Sequence, residues 1–341
     1  MDFLTLDKVF IVAELSANHL QNFDLARRTI EAMAKSGADA VKLQTYTPDT
    51  MTIACKHDDF LVQQGTLWDG ETFYELYQRS FTPWEWHQEL KELAESLGLV
   101  FFSTPFDLSS VDFLEKLGVP CYKIASFEIT DIPLIEYVAG KGKPVLISTG
   151  IATLGDIEEA VETCRRVGNN QVVLLKCVSA YPTPLEEINL RTIPHLAETF
   201  GVPVGLSDHT LSPSVAVAAV ALGAKVVEKH FILERALGGP DASFSLEPEE
   251  FKAMVQAVRG VEKALGQVTY TLSERQKRAR AFSRSLYVVK DVRAGEKLTT
   301  ANVRSIRPGY GLPPKYLRRV LGKRFRRDLP KGTPLRWEDI E

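Results

Sequence analysis

The chain has 341 residues, of which 45% are hydrophobic and 25% charged, and its formal net charge is −3. These values are typical of a globular protein, and no run approaches the about 20 apolar residues that a membrane-spanning helix needs. The amino-terminal residues lack the basic and apolar regions of a secretion signal. The four cysteines (Cys55, Cys121, Cys164 and Cys177) show no CxxC spacing, so we expect reduced thiols and a cytoplasmic protein without membrane partners.

Charge divides unevenly along the chain. Residues 274–341 contain 19 Lys and Arg against 7 Asp and Glu, whereas residues 1–273 contain 22 against 37. Opposite charge in the two parts predicts two domains, with the basic one facing the acidic one or an anionic ligand. Nucleic-acid binding is the rival explanation for a basic segment. Its charges alternate with regular apolar positions, however, which predicts a folded domain and no nucleic-acid partner.

Strand-like and helix-like runs alternate from residue 9 to residue 265. Short strands rich in Val, Ile and Leu that follow helix-stopping glycines are typical of parallel βαβ units. We count eight such strands, which favours closure into a (β/α)8 barrel, and no GxGxxG follows the first strand as in a dinucleotide-binding fold. We therefore predict an α/β chain with a catalytic barrel over 1–266, a charged linker over 267–282 and a small β-rich domain over 283–341.

Nearly every predicted strand ends on polar or ionisable residues. Burying Lys, Glu or His without a partner costs several kcal/mol, so chance does not explain such placements. In a barrel these strand ends meet at one rim, where the catalytic residues of this architecture lie. The pattern therefore predicts an enzyme whose candidate residues are Glu14, Lys42, Gln44, Ser103, Thr104, Lys123, Ser126, Glu128, Ser148, Lys176, Ser207, Asp208, His209, Glu228, Lys229 and His230.

His209 and His230 are the candidate metal ligands. They lie 21 positions apart, at the predicted ends of strands seven and eight, which are neighbours in a barrel. Two imidazoles on adjacent strand ends can bind one divalent ion and leave positions open for water or substrate. The alternative is a pair of structural histidines hydrogen-bonded at the rim. Asp208 and Glu228 are either groups that orient these rings or solvated neighbours.

A second group of strand-end residues combines lysines with hydroxyls, as phosphate recognition requires. Its members are Lys42, Lys123, Ser126, Ser103, Thr104, Ser148 and Ser207. Two alternatives stay open, because hydroxyls also cap helices and because Lys123 or Lys176 can form a Schiff base with a carbonyl substrate. Glu14 and Glu128 are suited to proton transfer or to contacts with sugar hydroxyls.

A long insertion, residues 45–81, separates the second strand from the next helix. Loops of this length inside a compact barrel are usually functional. Trp68, Trp84 and Trp86 can stack on a ligand, but packing of the insertion and its helix is the simpler interpretation.

Several motifs resemble those of the sialic acid synthase family, over essentially the whole chain. They are AELSANH (13–19), KLQTYTPDT (42–50), LWDGETFYELY (67–77), TPWEWH (82–87), YKIASFEITD (122–131), ISTGIAT (147–153), GLSDHT (205–210), EKHF (228–231) and GGPDASFSLEP (238–248). SRSLY and IRPGYGL resemble the C-terminal antifreeze-like (SAF) domain of that family. Within the family, the first five motifs most resemble those of members that make pseudaminic acid.

The resemblance implies condensation of phosphoenolpyruvate with the open-chain aldehyde of an N-acylated amino sugar, with release of phosphate. For a pseudaminate-forming member this sugar is 2,4-diacetamido-2,4,6-trideoxy-L-altrose. A divalent metal ion (Mn²⁺, Mg²⁺ or Co²⁺) is implied to polarise the aldehyde oxygen for attack by C3 of phosphoenolpyruvate. Water then adds at C2, and phosphate leaves by C–O cleavage.

The resemblance also implies roles for individual positions. It assigns the metal and a catalytic role to His209 and His230, proton transfer and sugar contact to Glu14 and Glu128, phosphoenolpyruvate binding to Lys42, Thr104, Lys123, Ser126, Ser148 and Ser207, and sugar binding to Gln44, Tyr181, Asp241 and Arg307. Arg307 would reach the partner's barrel in a domain-swapped homodimer. One departure is Leu20, which stands where the family usually has a polar residue and removes any polar substrate contact from that position.

Three alternatives remain. A family member that forms N-acetylneuraminate or legionaminate would use the same rim for another sugar. A Schiff-base lyase would be labelled on lysine by borohydride and would stay active in EDTA. A non-catalytic carbohydrate-binding protein would need neither the histidine pair nor the lysines beside it, so these residues argue against it.

Overall fold

Eight parallel strands hydrogen-bond in chain order, and the eighth pairs with the first to close a barrel. The computed structural model describes residues 3, 6–63 and 65–341. The strands are β1 (Phe10–Glu14), β2 (Ala40–Thr45), β3 (Val100–Pro105), β4 (Tyr122–Ile124), β5 (Val145–Ser148), β6 (Val172–Lys176), β7 (Val204–Asp208) and β8 (Val226–His230). This architecture confirms the predicted (β/α)8 barrel.

Helices follow the strands and cover the barrel. They are α1 (Phe23–Lys35), α2 (Pro48–Met51), α3 (Phe73–Ser80), α4 (His87–Ser96), α5 (Leu108–Leu117), α6 (Ile132–Ala139), α7 (Leu154–Arg166), α8 (Thr192–Phe200), α9 (Pro213–Ala221) and α10 (Pro248–Leu265). Local signals set their ends: Asn22 accepts from Leu25 N at the start of α1, and Gly118 ends α5 with a left-handed φ of 75°. Across the described part of the chain, no helix combines the length and apolarity that a membrane crossing requires.

The chain divides into two compact units, Met1–Gly266 and Gln267–Glu341. In the second unit, β9 (Ser285–Val288) pairs antiparallel with β10 (Val303–Ile306). Side chains from both strands join apolar residues of the following segments in a small core, which includes Leu286, Val288, Val303, Phe325 and Leu335. The predicted small β-rich second domain is therefore confirmed.

The segment 267–282, predicted as a linker, contains ordered structure. α11 (Glu274–Ala279) begins here because Ser273 accepts from Gln276 N, and the Gln276 side chain accepts from Ser273 N in return. The sequence contains this capping pair, but the segment lacks the apolar periodicity from which helices are predicted. A second short helix of this unit, α12 (Leu317–Val320), follows β10.

Charged residues tie the first strand to the last barrel helix at the amino-terminal face. Asp39 accepts from Ile11 N at 2.9 Å and from Arg259 Nη2 at 2.5 Å. Arg259 also donates to Val9 O at 2.7 Å, and Glu262 accepts from Val9 N. Polar residues on this face of a barrel serve stability rather than catalysis. We therefore assign this cluster to closing the barrel.

Arg259→Met should lower the unfolding free energy of the barrel by about 2 kcal/mol, because it removes a cation bonded to the half-buried Asp39 carboxylate. Denaturant unfolding followed by tryptophan fluorescence in a Trp337→Phe background reports the barrel, where the other tryptophans lie. Lys252→Met is the matched control on α10. Its exposed pair with Glu249 (3.7 Å) should contribute less than about 0.5 kcal/mol. Equal stabilities of the two variants would contradict the assignment.

Candidate active site

A buried lysine lies between two buried carboxylates at the carboxyl ends of the strands. Lys42 on β2 forms an ion pair with Glu14 on β1, and its Nζ lies 3.6 Å from Glu228 Oε1 on β8. The same Nζ donates to Thr104 Oγ1 on β3 at 3.1 Å. Glu228 Oε1 accepts from Ser207 Oγ on β7 at 3.2 Å. We call these five residues the Lys42 network. They connect β1, β2 and β3 with β7 and β8.

Burial and mutual attraction set the charges of the Lys42 network. Burial raises the pKa of Glu14 to about 7, although Lys42 acts in the opposite direction. Burial opposes the charge of Lys42, but Glu14 and Glu228 outweigh it and raise the Lys42 pKa. Burial would raise the pKa of Glu228, but Lys42 and Lys123 outweigh it and lower that pKa. Lys42 and Glu228 are therefore ionised near neutral pH, whereas Glu14 can exchange a proton there.

Lys123 on β4 and Ser148 on β5 supply donors that the protein itself uses little. Lys123 Nζ donates to Ile124 O at 2.8 Å, and burial lowers the pKa of Lys123. Ser148 Oγ is buried, and within the described chain it has no hydrogen-bond partner. Buried donors in this state favour a polar ligand that completes their hydrogen bonds.

Ser126 is held in place by the loops that follow β5 and β6. Its Oγ accepts from Ile151 N at 3.1 Å and from Ser179 Oγ at 2.8 Å. Gly150 makes this approach possible, since a Cβ there would lie 2.6 Å from Ser126 Oγ. The ISTGIAT motif therefore needs glycine at this position for space rather than for its backbone angles.

The two candidate metal ligands face each other. The ring centroids of His209 and His230 lie 5.3 Å apart. Burial lowers the pKa of His209 to about 4 and that of His230 well below its ordinary value, so both rings are neutral. His209 Nδ1 lies 3.1 Å from Val178 O, which can only accept, so Nδ1 carries the proton and Nε2 keeps its lone pair.

The donor set fits a divalent ion. His230 Nδ1 is buried, and no hydrogen bond reaches it from any described residue. Imidazole nitrogens bind such ions at about 2 Å, so two rings at this separation can reach one ion. Among residues 3, 6–63 and 65–341, no group of three or more His, Cys, Asp or Glu side chains is placed to hold a metal. Water or substrate would therefore have to complete the coordination.

Asp208 and Glu228, which flank the histidines in sequence, are both buried rather than solvated. Glu228 belongs to the Lys42 network. Asp208 pairs with Lys229 at 2.7 Å and makes no hydrogen bond to either ring in the described structure. The interpretation of these acids as solvated neighbours is therefore wrong.

The predicted sugar-binding residues fall into different surroundings. Asp241 is buried and accepts from Ser16 Oγ and from Ala17 N (3.2 Å), and burial raises its pKa. Tyr181 packs on His209 with a centroid distance of 4.5 Å. Gln44 lies half-buried at the end of β2.

Two further residues predicted to contact the sugar are Glu128, which is half-buried, and Arg307, which is exposed. Glu128 ends the short 3₁₀ turn after β4 and is half-buried, yet its Oε2 is enclosed and lacks a hydrogen-bond partner in the described chain. Burial raises the pKa of Glu128 to about 7. Arg307 lies in the second unit, directly after β10, and its side chain is exposed.

Leu20 is a packing residue. Its Cδ2 lies 2.6 Å from the point that a Cβ on Gly239 would occupy. Glycine is needed there for this close approach and for a φ of 114°. The loop after β1 therefore packs directly, through an apolar side chain, on the loop that carries Asp241.

Of the three tryptophans considered, one reaches the candidate site. Trp68, in the insertion, donates from Nε1 to Pro240 O at 3.0 Å and packs on Tyr181 with a centroid distance of 5.6 Å. Trp84 packs on Phe113, and Trp86 packs on His19 and Phe23. The insertion thus returns to the strand ends next to the histidine pair.

His87, in the TPWEWH motif, anchors the start of α4 to β2. Burial lowers the pKa of His87 to about 4, so the ring is neutral. Its Nδ1 donates to Pro83 O at 3.2 Å, and its Nε2 then accepts from Thr45 Oγ1 at 2.8 Å. Thr45 in turn accepts from Ser103 Oγ at 2.6 Å. Ser103, predicted among the phosphate-binding residues, donates into this chain of hydrogen bonds.

Comparison with known proteins identifies the family of the chain. The NeuB family matches residues 29–270, and the SAF domain matches residues 283–341. The chain belongs to the NeuB family. It is 49% identical to the pseudaminic acid synthase of Helicobacter pylori, over 97% of each chain. It is 39% identical to the N,N'-diacetyllegionaminic acid synthase of Legionella pneumophila, over 97% of this chain and 94% of that protein.

A solved structure of similar fold is the N-acetylneuraminic acid (sialic acid) synthetase of Leptospira borgpetersenii in complex with citrate. It aligns with a TM-score of 0.72 and 31% identity, over 80% of this chain and 90% of that one. The barrel, predicted from the alternation of strands and helices, and the SAF domain, predicted from motifs, are therefore both confirmed.

Strand-end reasoning missed four residues near the mouth of this NeuB-family barrel. Ser16 bonds Asp241, and Asn18 Nδ2 donates to Phe231 O at 2.9 Å. Tyr46 and Tyr77, from the end of β2 and the insertion, pack edge to face. Ser16 and Asn18 had a signal, because they follow Glu14 within AELSANH. Tyr46 and Tyr77 had no such signal, because they lie in the insertion, where no strand pattern predicts the position of a side chain.

Stability should fall as the pH is lowered from 6.5 toward 4, and His87 should account for part of that fall. The folded pKa of about 4 lies below the unfolded value of about 6.5, so only the unfolded chain gains a proton in this window. The contribution of His87 is complete above pH 6.5 and has dropped by about 3 kcal/mol at pH 4. His87→Gln should therefore flatten the curve of unfolding free energy against pH.

The measurement is denaturant unfolding at several pH values between 4 and 7. His195→Gln, at an exposed histidine, is the control and should follow the wild-type curve. Parallel curves for wild type and His87→Gln would show that the buried ring does not carry the effect.

Proposed function

We propose that this NeuB-family chain is a pseudaminic acid synthase, a transferase that condenses phosphoenolpyruvate with 2,4-diacetamido-2,4,6-trideoxy-L-altrose and releases phosphate. The observation that carries the proposal is the convergence of the Lys42 network, Lys123 and two neutral histidines at one barrel mouth. Similarity over nearly the full length to a pseudaminic acid synthase supports the choice of sugar.

The proposed phosphoenolpyruvate site uses two lysines for charge and four hydroxyls for hydrogen bonds. The residues are Lys42, Lys123, Thr104, Ser126, Ser148 and Ser207. Glu14 and Glu228 already offset the charge of Lys42. A ligand with both a carboxylate and a phosphate therefore requires Lys123, the free hydroxyl of Ser148 and a further positive charge.

A divalent ion held by His209 and His230 would supply that charge, with Mn²⁺, Mg²⁺ and Co²⁺ as candidates. Neutral imidazoles are the form that binds metal, and His230 Nδ1 lacks another partner within the described chain. When bound, such an ion supplies Lewis acidity toward the aldehyde oxygen of the sugar.

Glu14 is the proposed group for proton transfer. In the reaction a bond forms between C3 of phosphoenolpyruvate and the aldehyde carbon, water adds at C2, and the bond from C2 to the phosphate oxygen breaks. Attack by C3 leaves negative charge on the aldehyde oxygen. Glu14, with a pKa of about 7, accepts the first proton that the adding water loses and passes it to that oxygen, and the second proton leaves with phosphate as the C2 carbonyl forms. Glu128, whose Oε2 is enclosed and unpaired in the described chain, binds a sugar hydroxyl beside Gln44, Tyr181 and Asp241.

A Schiff-base lyase is the second candidate, and one observation favours it. Burial lowers the pKa of both Lys123 and Lys176, as a nucleophilic lysine requires. Each ammonium donates to a backbone carbonyl, Lys123 to Ile124 O and Lys176 to Cys177 O. Borohydride added with the carbonyl substrate would label a lysine only in this mechanism.

We also propose that a homodimer completes the site by exchanging its second units. The loops after β4, β5, β7 and β8 each expose an apolar side chain, namely Phe127, Ile151, Leu211 and Leu237. Apolar surface around a site is commonly covered by another protein. The basic second unit of a second copy complements an acidic barrel in charge and would bring Arg307 to the N-acyl group of the sugar.

We also propose that the enzyme acts in the cytoplasm, without nucleic-acid or membrane partners. Its four cysteines are all free thiols, as a reducing compartment maintains them. The basic surface of the second unit is assigned to the dimer rather than to nucleic acid.

Phosphate release from phosphoenolpyruvate should occur with the altro sugar and stop in EDTA. The assay compares 2,4-diacetamido-2,4,6-trideoxy-altrose with its manno isomer and with N-acetylmannosamine. The manno isomer is the matched control, because it carries the same acetamido groups and differs in configuration. Preference for either manno sugar would replace the pseudaminate assignment by a legionaminate or neuraminate one. Turnover that persists in EDTA together with lysine labelling would establish the lyase.

Mixed subunits test the exchange of domains. His230→Ala and Arg307→Ala proteins should each be inactive or severely impaired, because each lacks one part of every site. After subunit exchange, a swapped heterodimer has one site with both native residues, so random mixing should restore about a quarter of the wild-type activity. Arg304→Ala, at another exposed arginine of the second unit, is the control and should keep full activity. No recovery after verified exchange would contradict the swap.

A further inference from the structure

A buried ion pair lies directly behind the histidine pair. Asp208 on β7 and Lys229 on β8 are opposite each other in the strand register. Side chains alternate along a strand, so Lys229 points away from the face that carries Glu228 and His230. Lys229 is fully buried, and its Nζ lies 2.7 Å from Asp208 Oδ2.

Lys229 forms hydrogen bonds with the residues on both sides of His209. Besides Asp208, its Nζ donates to Thr210 O and lies 3.4 Å from Thr210 Oγ1. Asp208 Oδ1 accepts from Thr210 N at 2.9 Å. The residues before and after His209 are thus bonded to one ammonium on the strand that carries His230. The backbone pairing of β7 with β8 ends at Asp208 and Lys229, and beyond it this side chain ties Thr210, on the far side of His209, to the strand that carries His230.

The bonds of Lys229 act on the backbone around His209, whereas a separate hydrogen bond acts on its ring. The hydrogen bond from His209 Nδ1 to Val178 O sets the orientation of the imidazole. It does not set how far the end of β7 stands from the end of β8, because Val178 follows β6. The pairing of β7 with β8 sets that distance as far as Asp208, and Lys229 extends the constraint past His209 to Thr210. His230 Nδ1 makes no hydrogen bond within the described chain that would add to it.

An apolar pair would fill the same space without the desolvation of two charges, and such replacements are often neutral or stabilising. Stability by itself therefore does not account for a fully buried lysine here. We propose that Lys229 is a positioning residue for the metal site. It holds His209 at the distance from His230 at which both rings reach one ion. The inference rests on the metal site of the proposed function.

The test is the double variant Asp208→Leu/Lys229→Met, which removes both charges and keeps similar volume. Single variants would leave a buried charge unpaired and would fail to fold for that reason alone. Co²⁺ is the probe, because its visible absorption reports coordination without turnover. Lys143→Met is the matched control, since it removes a lysine that pairs with Glu115 at 2.8 Å elsewhere on the barrel.

The double variant should unfold at a temperature close to that of the wild type but bind Co²⁺ 10- to 100-fold more weakly, the usual effect of losing an orienting group. Its Co²⁺ absorption bands should also shift, which a role in stability alone would not produce. Lys143→Met should match the wild type in both. Wild-type affinity and spectrum in the double variant would overturn the inference and leave the proposed function standing. A wild-type protein that binds no Co²⁺ would remove the metal site and the inference together.

Discussion

The burial of an ammonium between two carboxylates inside a closed barrel is the constraint on which the candidate site depends. Lys42 would be too costly to bury alone, and Glu14 and Glu228 would repel each other without it. Together they form a network close to electrical balance, in which only Glu14 has a pKa near neutrality. Additional anions therefore need positive charge from elsewhere, which is why Lys123 and the histidine pair matter to the proposed reaction.

Burial at the strand ends shifts the pKa values of histidines and carboxylates in opposite directions. Burial lowers the pKa values of His209 and His230, so both rings are neutral, whereas it raises the pKa of Glu128 to about 7. Burial is the largest cause of each shift, and it outweighs the opposing attraction of Asp208 and Glu228 on His209 and of Lys123 on Glu128. Tyr181, a proposed sugar-binding residue, lies beside this centre, and the insertion residue Trp68 packs on it.

Much of the fold and part of the site could be predicted from local sequence patterns. Strand and helix periodicity identified the eight strands, and the polar residues that end them, such as Glu14, Ser148 and His230, lie where the pattern placed them. Side-chain hydrogen bonds could not be predicted from periodicity. Ser103 donates to Thr45, and a short helix with a reciprocal cap lies within the predicted linker. Tyr46 and Tyr77 had no signal, because the path of the insertion depends on contacts distant in sequence.

The sequence by itself determined the order of strands and helices and the kind of side chain at each strand end, because these follow from properties of neighbouring residues. It also determined the family, through motifs spread over both units. Only the tertiary structure decided which charges meet. Glu14 and Glu228 come within reach of one lysine because β8 pairs with β1. Distance and burial set the strength of electrostatic interactions, and neither is defined until the barrel closes.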